Sequence, residues 1–238
     1  MLVSHVNKFI YIKPLKAAGS SVEAWFQKFC LSEEDRKKLD QSVWDACRDD
    51  RGDFQNKNGI IGGRLSGSSR KFPPHSRPRE IKNIIGKEKF DEYFKFSVVR
   101  NPWDRMVSMF WWKHKKKNGD FKAIKKCFNE WMTKSIIRSS VKSDLELYTI
   151  RGEFIFDYYI RYENLEQGIR EVCDLLDIKD IDLSRLPKHK SGYRKFNNHY
   201  SEYYEPETAQ IVKDVYGTII DYFDYSFEEK NIIKEEDS

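Results

Sequence analysis

One strand-loop-helix stretch constrains the fold of this chain more than any other part of the sequence. Residues 8–26 are KFIYIKPLKAAGSSVEAWF, in which residues 9–12 form the short apolar run expected of a buried strand. The loop after the strand ends in small residues that let a ligand approach the backbone: Ala17, Ala18 and Gly19. A helix then opens at two serines and carries apolar residues at helical spacing: Val22, Trp25, Phe26 and Phe29. The stretch predicts an α/β core with a loop that faces a ligand.

The start of this helix favours an anionic ligand. A helix that begins at Ser20 directs N–H groups and the positive end of its dipole toward the loop, which makes the loop a natural phosphate site. Lys16 adds a positive charge, but it precedes Gly19 by three residues, whereas the common nucleotide loop GxxxxGKS/T places its lysine after the second glycine. The loop alone also fits an ordinary α/β core, so a second motif is needed.

A second strand and helix supply that motif. Residues 93–112, YFKFSVVRNPWDRMVSMFWW, contain an apolar run followed by Arg100 and by an Asn-Pro pair that fits a helix cap and first turn. At the carboxyl end of a strand, Arg100 offers a planar set of donors to a phosphate. Ser108, about two helical turns further on, faces the same anion only if the strand end folds back over the helix. The alternative is a structural ion pair between Arg100 and Asp104, with Ser108 on a solvated face.

Both motifs resemble those of the carbohydrate-type (Golgi-type) sulfotransferases, which use 3'-phosphoadenosine 5'-phosphosulfate (PAPS). The loop is similar to the family's 5'-phosphosulfate loop, usually close to PKTAGTS or PKAGGTS, with Leu15 in place of proline and Ala17 in place of threonine. The second motif is similar to the family's 3'-phosphate motif, F-x-F-V-R-N-P-W/Y-D-R-L-V-S-x-Y. The turn RYENL at residues 161–165 and the last aromatic segment also match, although Asp224 stands where the family has glycine.

The resemblance covers about residues 8–227 and implies an α/β, P-loop-like sulfotransferase fold with a central, mostly parallel sheet flanked by helices. We therefore expect one sulfotransferase domain over residues 1–227 and a polar C-terminal tail over residues 228–238. The implied enzyme moves a sulfuryl group from PAPS to a hydroxyl group of an acceptor, expected to be a carbohydrate. Such transfer parallels phosphoryl transfer but requires no metal.

The resemblance also assigns roles to the residues of the two motifs. Lys16 is expected to bind the donor and to stabilise the leaving oxygen as a catalytic residue. The 5'-phosphate is expected to be held by the loop and the first helical turn: Ala18, Gly19, Ser20 and Ser21. Arg100 and Ser108 are expected to hold the 3'-phosphate.

Two basic segments remain. In the family a late basic loop commonly closes over the nucleotide, so Lys190 and Arg194 of the segment KHKSGYR at residues 188–194 are candidate donor-binding residues, together with Ser191. A solvated loop is the alternative. The run KHKKK at residues 113–117 is either a solvated helix end, favoured by the helix dipole, or a patch that attracts an acidic substrate.

His75 is the expected general base. It follows Pro73 and Pro74 and stands at the entrance of a short predicted helix that ends at Ile85. An unperturbed pKa near 6.5 suits proton transfer, and members of the family carry a histidine before this helix. The alternative is an exposed loop histidine without a role, in which case Glu23 or a residue of the glycine-rich loop is the next candidate.

Charge and composition narrow the other classes of function. With 43 Lys and Arg against 38 Asp and Glu, the net charge of +5 suits a nucleotide or an acidic glycan but falls short of what nucleic-acid binding demands. The four cysteines are widely spaced and indicate neither a zinc site nor a disulfide scaffold. Two rivals stay open: a nucleotide kinase, for which no Walker loop is found, and a non-enzymatic binder of acidic polymers that uses the basic segments.

No apolar run in the sequence approaches membrane-spanning length, and the first residues lead almost directly into the predicted strand, which leaves no room for a signal peptide. We therefore expect a cytoplasmic protein without a membrane anchor. Its expected partner is the hydroxyl-bearing acceptor, a glycan or a small molecule, and neither a nucleic acid nor a membrane.

The rest of the chain is expected to complete the fold. The patterns predict helices at residues 32–39, 121–137, 169–176 and 206–223, a buried strand at residues 154–160, and a flexible polar loop at residues 49–74.

Overall fold

The computed structural model of the protein describes residues 1–32, 34, 54–62, 72–73, 75–137, 144–179, 181–184, 186 and 192–227. The chain divides into two compact units. The first unit comprises residues 1–99 and 144–191, and the second comprises residues 100–143 and 192–238.

The first unit is built on a six-stranded sheet with the strand order β3-β4-β1-β2-β5-β8. A separate two-stranded hairpin is formed by β6 and β7. The strands are β1 (Leu2–Ser4), β2 (Phe9–Ile12), β3 (Phe54–Asn56), β4 (Gly59–Ile61), β5 (Phe94–Val99), β6 (Thr149–Ile150), β7 (Glu153–Phe154) and β8 (Tyr158–Arg161).

The main sheet is mixed. Strands β2, β5 and β8 run parallel, with Tyr11 opposite Phe96 and Phe96 opposite Tyr158. Strand β1 is antiparallel to both β2 and β4, and β3 is antiparallel to β4. The predicted α/β sheet is thus confirmed, but it is parallel only over the strands that precede the two phosphate motifs and over β8. The antiparallel strands are short hairpin additions at one edge, which need no crossover helix.

Eight α-helices lie in the described residues. They are α1 (Gly19–Phe26), α2 (Pro78–Ile85), α3 (Lys87–Glu92), α4 (Pro102–Lys113), α5 (Phe121–Ile137), α6 (Leu145–Tyr148), α7 (Leu165–Leu175) and α8 (Pro206–Tyr222). Helices α4, α5 and α8 belong to the second unit and the others to the first. Within the described ranges, no helix combines the length and apolar character needed to cross a membrane.

Alternation along the strands of the first unit gives the sheet two apolar faces. Phe9 and Tyr11 on β2 pack in one cluster with residues of α1 and α7, including Phe26 and Ile169. The intervening Ile10 and Ile12 belong to a second cluster, which contains Ile81 of α2 and Phe90 of α3. Since successive strand side chains point to opposite faces, the strand is buried on both sides, and the prediction that helices flank the sheet is confirmed.

The second unit is helical and packs through aromatic rings. Phe128 of α5 lies 5.5 Å from Phe110 of α4 and 4.8 Å from Tyr204, measured between ring centroids, and both contacts are edge-to-face. The predicted cap of α4 is confirmed, because Asn101 Oδ1 accepts a hydrogen bond from the Trp103 N–H at 3.0 Å.

The prediction for residues 49–74 also needs correction. The predicted loop at residues 49–74 contains the hairpin β3–β4, in which Asn56 lies opposite Gly59. Each strand has only three residues, too few for a strand pattern to show, and β4 pairs with β1 at the start of the chain as well as with β3. The predicted helix at residues 32–39 lies almost entirely outside the described residues.

The predicted strand at residues 154–160 is interrupted. Its first residue pairs with β6, and only from Tyr158 onward does the chain join the main sheet. Asp157 marks the change, since its N–H donates to the Lys95 carbonyl oxygen at 2.8 Å and its carboxylate accepts from the Lys95 N–H at 2.6 Å. One apolar run of the sequence therefore contributes residues to two different sheets, and the sequence pattern does not show this division.

Candidate active site

The loop between β2 and α1 has an unusual backbone. Lys16 and Ala18 have φ values of 58° and 52°, in the left-handed region that L-residues rarely adopt. Each costs about 1 kcal/mol or more, so surrounding contacts must hold the loop in this shape. Such conformations cluster at functional sites.

Gly19 is the point of closest backbone approach in this loop. A Cβ atom at this position would lie 2.8 Å from the Pro14 carbonyl oxygen and 2.9 Å from Lys13 Cγ, so no larger residue fits without a shift. The Tyr11 hydroxyl donates to the Gly19 carbonyl oxygen at 3.2 Å, which ties the loop to β2. Packing against Pro14 and Lys13 therefore requires a glycine at this position.

Helix α1 begins at Gly19, so its amino end lies at the loop as predicted. The N–H groups of Ser21 and Val22 bond back to the Ala18 carbonyl oxygen at 2.8 and 3.2 Å. The Ser21 N–H is thus used inside the helix. Ser20 and Ser21 are buried at 8% and 5% exposure.

His75 contacts the residue that follows β2. Its Nδ1 lies 2.9 Å from the Lys13 carbonyl oxygen. A carbonyl oxygen can only accept, so Nδ1 carries the hydrogen and Nε2 keeps its lone pair. Burial is the main cause that lowers the pKa of His75 from 6.5 to about 4, and the Lys13 charge adds to the effect. The ring is therefore neutral at neutral pH in the tautomer that a general base needs.

A buried ion cluster lies beneath the same loop. Glu23 on α1 has no exposed surface, and its two carboxylate oxygens contact Lys13 Nζ at 2.8 Å and the Met1 amino group at 2.9 Å. Glu23 is therefore closed to an acceptor and does not fit the role of a substitute base. Sequence analysis missed Lys13, which supports both His75 and Glu23; its only signal was its place directly after the strand.

In the second unit, Asp104 joins two arginines. Its Oδ2 accepts from Arg100 Nε at 2.8 Å and from Arg100 Nη2 at 2.6 Å, while its Oδ1 accepts from Arg194 Nη1 at 3.1 Å. The Arg194 guanidinium also lies 5.2 Å from the centre of the Tyr203 ring. The ion pair between Arg100 and Asp104 that sequence analysis considered is present, and it extends to a second predicted donor-binding residue.

The other residues predicted to bind the donor are Ser108, Lys190 and Ser191. Ser108 is half-buried on α4, one helical turn beyond Asp104. Lys190 and Ser191 lie outside the described residues. Among the described residues, no group of three or more His, Cys, Asp and Glu side chains could hold a metal ion.

Comparison with known proteins decides the family. A sequence profile described as "Sulfotransferase family" matches residues 1–226, nearly the whole chain. The chain belongs to the Sulfotransferase family. Members of this family are PAPS-dependent transferases, so the chain is an enzyme of sulfuryl transfer and not a nucleotide kinase. The resemblance noted from the two phosphate motifs is confirmed.

The other comparisons of this sulfotransferase with known proteins give no further information about its function. It is 28% identical over 117 residues to an uncharacterized protein of Archaeoglobus fulgidus, a match that covers 48% of the sulfotransferase and 94% of the relative. The comparison with solved structures found no match. The loop of the sulfotransferase places the amino end of α1 where the first phosphate motif is expected to act.

Proposed function

We propose that this sulfotransferase transfers the sulfuryl group of PAPS to a carbohydrate hydroxyl, with His75 as the general base and Lys16 at the leaving phosphate. The observation that carries the proposal is the contact from His75 Nδ1 to the Lys13 carbonyl oxygen. It leaves a neutral imidazole with a lone pair on Nε2, and it holds the ring at Lys13, which precedes Lys16 of the donor loop by three residues. The family match extends through both units, which supports one functional domain over residues 1–227.

The proton of the acceptor hydroxyl moves to His75 Nε2 as the oxygen attacks sulfur. The low pKa of the free imidazole follows mainly from burial and from nearby positive charge. An anionic donor at the adjacent loop adds negative charge, which raises the pKa of His75 and strengthens the base when it is needed. The bond from Nδ1 to Lys13 fixes the ring throughout.

Lys16 and the amino end of α1 stabilise the charge on the departing 5'-phosphate. This charge grows as the bond between sulfur and the bridging oxygen breaks, so preformed donors lower the barrier. The hydroxyl groups of Ser20 and Ser21 and the backbone from Ala18 to Gly19 hold the same phosphate. The left-handed backbone at Lys16 and Ala18 prepares the loop before the donor arrives.

Arg100 and Arg194 hold the 3'-phosphate together with Ser108. Asp104 orients both guanidinium groups, since it accepts hydrogen bonds from each. Oriented planar donors suit a phosphate better than mobile ones because less conformational freedom is lost on binding. We also assign Lys190 to donor binding, because it lies in the segment that corresponds to the late basic loop of the family.

The carbohydrate acceptor rests on the resemblance to carbohydrate-type sulfotransferases. An assay with sulfate-labelled PAPS and a panel of sugars, with alkyl and phenolic alcohols for comparison, tests it. Label transferred to sugars, but not to the other alcohols, supports the proposal. Transfer to phenols alone would assign the enzyme to another acceptor class, and loss of activity with a chelator would contradict metal-free transfer.

A further inference from the structure

The first unit contains a large cleft that the proposed donor site does not use. The cleft lies among α2, α3, α6 and the β6–β7 hairpin and has a volume of about 1110 Å³. This exceeds the roughly 300–1,000 Å³ of most small-molecule sites, so its size suits an extended ligand. Its polar lining consists mainly of charged side chains: Arg77, Arg79, Lys82, Lys87, Asp91, Lys95, Glu146, Arg151 and Glu153.

Positive charge dominates this cleft. Six cationic side chains face three carboxylates in the lining. Asp91 already contacts Lys82 at 2.8 Å and Lys87 at 2.7 Å, and Glu146 contacts Arg77 at 2.7 Å. Lys95 also forms an ion pair, because its Nζ lies 3.2 Å from Asp157 Oδ2.

Two arginines of the cleft remain uncommitted. Within the part of the chain that the structure describes, Arg79 on α2 and Arg151 in the β6–β7 turn form no ion pair. They approach the cleft from two different elements and supply donors to an incoming anion. The two arginines thus mark the part of the cleft best suited to negative charge.

One lining residue of the cleft is close to the proposed base along the chain. Arg77 lines it and follows His75 by two residues, at the start of α2. Helix α2 has eight residues and spans about 12 Å, and Lys87 and Asp91 on α3 continue the lining beyond it. A chain-like acceptor that reaches His75 therefore has a basic path along which its neighbouring units can lie.

We propose that this cleft binds an anionic extension of the acceptor, a carbohydrate chain that carries carboxylate or sulfate groups. This rests on the proposed carbohydrate acceptor. The mixed lining fits such a chain, because arginines take its anionic groups while carboxylates and Asn83 accept or donate to its hydroxyls. A single-stranded nucleic acid fits less well, since Phe90, the aromatic residue in the lining, is only 3% exposed and offers no surface for base stacking.

Calorimetry with three oligosaccharides of equal length tests the cleft: one with alternating uronic acids, one with sulfate groups and one neutral. The wild-type protein is expected to bind the two anionic probes and not the neutral one, and more weakly as salt is raised. The double variant Arg79→Gln with Arg151→Gln is expected to bind them roughly tenfold more weakly at low salt. Single-stranded DNA of equal charge serves as the competing polyanion.

The charge-matched control is Lys122→Gln with Lys213→Gln, which removes two exposed lysines from the other unit. If this control weakens binding as much as the cleft variant, or if DNA binds as tightly as the sugars, the proposal is wrong. Thermal stabilisation by adenosine 3',5'-bisphosphate is measured on every variant. If the wild type is stabilised by the nucleotide but binds no anionic sugar, the cleft proposal alone is wrong. If the nucleotide does not stabilise the wild type, the proposed donor site is wrong.

Discussion

His75 Nδ1 lies 2.9 Å from the main-chain oxygen of Lys13, although 62 residues separate the two in sequence. Lys13 directly follows β2 and opens the donor loop, so this hydrogen bond fixes the imidazole relative to the loop. Lys13 also anchors the buried carboxylate of Glu23. One residue thus supports both the proposed base and helix α1.

Loss of the base should separate turnover from donor binding. Replacement His75→Ala is expected to lower kcat by roughly a hundredfold or more, because acid-base help is lost, while affinity for adenosine 3',5'-bisphosphate changes little. Steady-state kinetics and calorimetry measure the two quantities. His5→Gln is the control, as His5 contacts Tyr93 and has no role in the site. Wild-type turnover of His75→Ala would remove His75 from the mechanism.

The low pKa of His75 should appear as a pH dependence of stability. Below pH 6.5 the unfolded histidine binds a proton, whereas the folded one stays neutral down to about pH 4. The free energy of unfolding of the wild type is therefore expected to fall as pH decreases from 6.5 to about 4. Urea titrations of the wild type and of His75→Asn measure this. Parallel pH curves for the two proteins would contradict the buried neutral ring.

Arg100 should be selective for the second phosphate of the nucleotide. Replacement Arg100→Ala is expected to weaken binding of adenosine 3',5'-bisphosphate by roughly 10–100-fold and to leave AMP binding nearly unchanged, since charged hydrogen bonds to one phosphate are lost. Calorimetry with both nucleotides provides the comparison. Arg170→Ala, an exposed arginine on α7, controls for the change in net charge. An equal loss for both nucleotides would make Arg100 a structural residue.

Asp104 should support phosphate binding although its own charge repels phosphate. Replacement Asp104→Asn is expected to weaken binding of the 3',5'-bisphosphate by about tenfold, because Arg100 and Arg194 lose the carboxylate that orients them. Asp120→Asn, at an exposed position before α5, is the charge-matched control. Tighter binding by Asp104→Asn would show that removal of the negative charge outweighs orientation.

Two glycines in helices should respond in opposite ways to alanine. At Gly168 on α7 a Cβ would lie 2.8 Å from Cγ2 of the buried Ile160, so Gly168→Ala is expected to lower the free energy of unfolding by about 1–3 kcal/mol. At Gly217 on α8 nothing lies within 4 Å, so Gly217→Ala is expected to raise it by about 0.5–1 kcal/mol. Thermal and urea unfolding report both changes. Equal effects would contradict the close contact between α7 and β8.

The sequence by itself determined the elements whose causes are local. The apolar run of β2 and the Asn-Pro cap of α4 were predicted, and the helix expected from Ser20 begins one residue earlier, at Gly19. Each of these features depends on residues within one or two turns of each other. The order of the two motifs also predicted the Sulfotransferase family, which the match over residues 1–226 confirms. Lys16, Arg100 and Ser108 came from the same two motifs, whereas His75, Lys190 and Arg194 were candidates from other segments.

The tertiary structure alone decided which of these residues touch. The contacts of His75 with Lys13 and of Arg194 with Asp104 join residues 62 and 90 positions apart, and the sequence contains no spacing rule for such pairs. Strands β3 and β4 were missed for the same reason, since each has three residues and depends on a partner strand distant in the chain. Local patterns in the sequence encode backbone preference. Burial and long-range hydrogen bonds exist only once the sheet has formed, and they determine the pKa of His75 and the pairing of the strands.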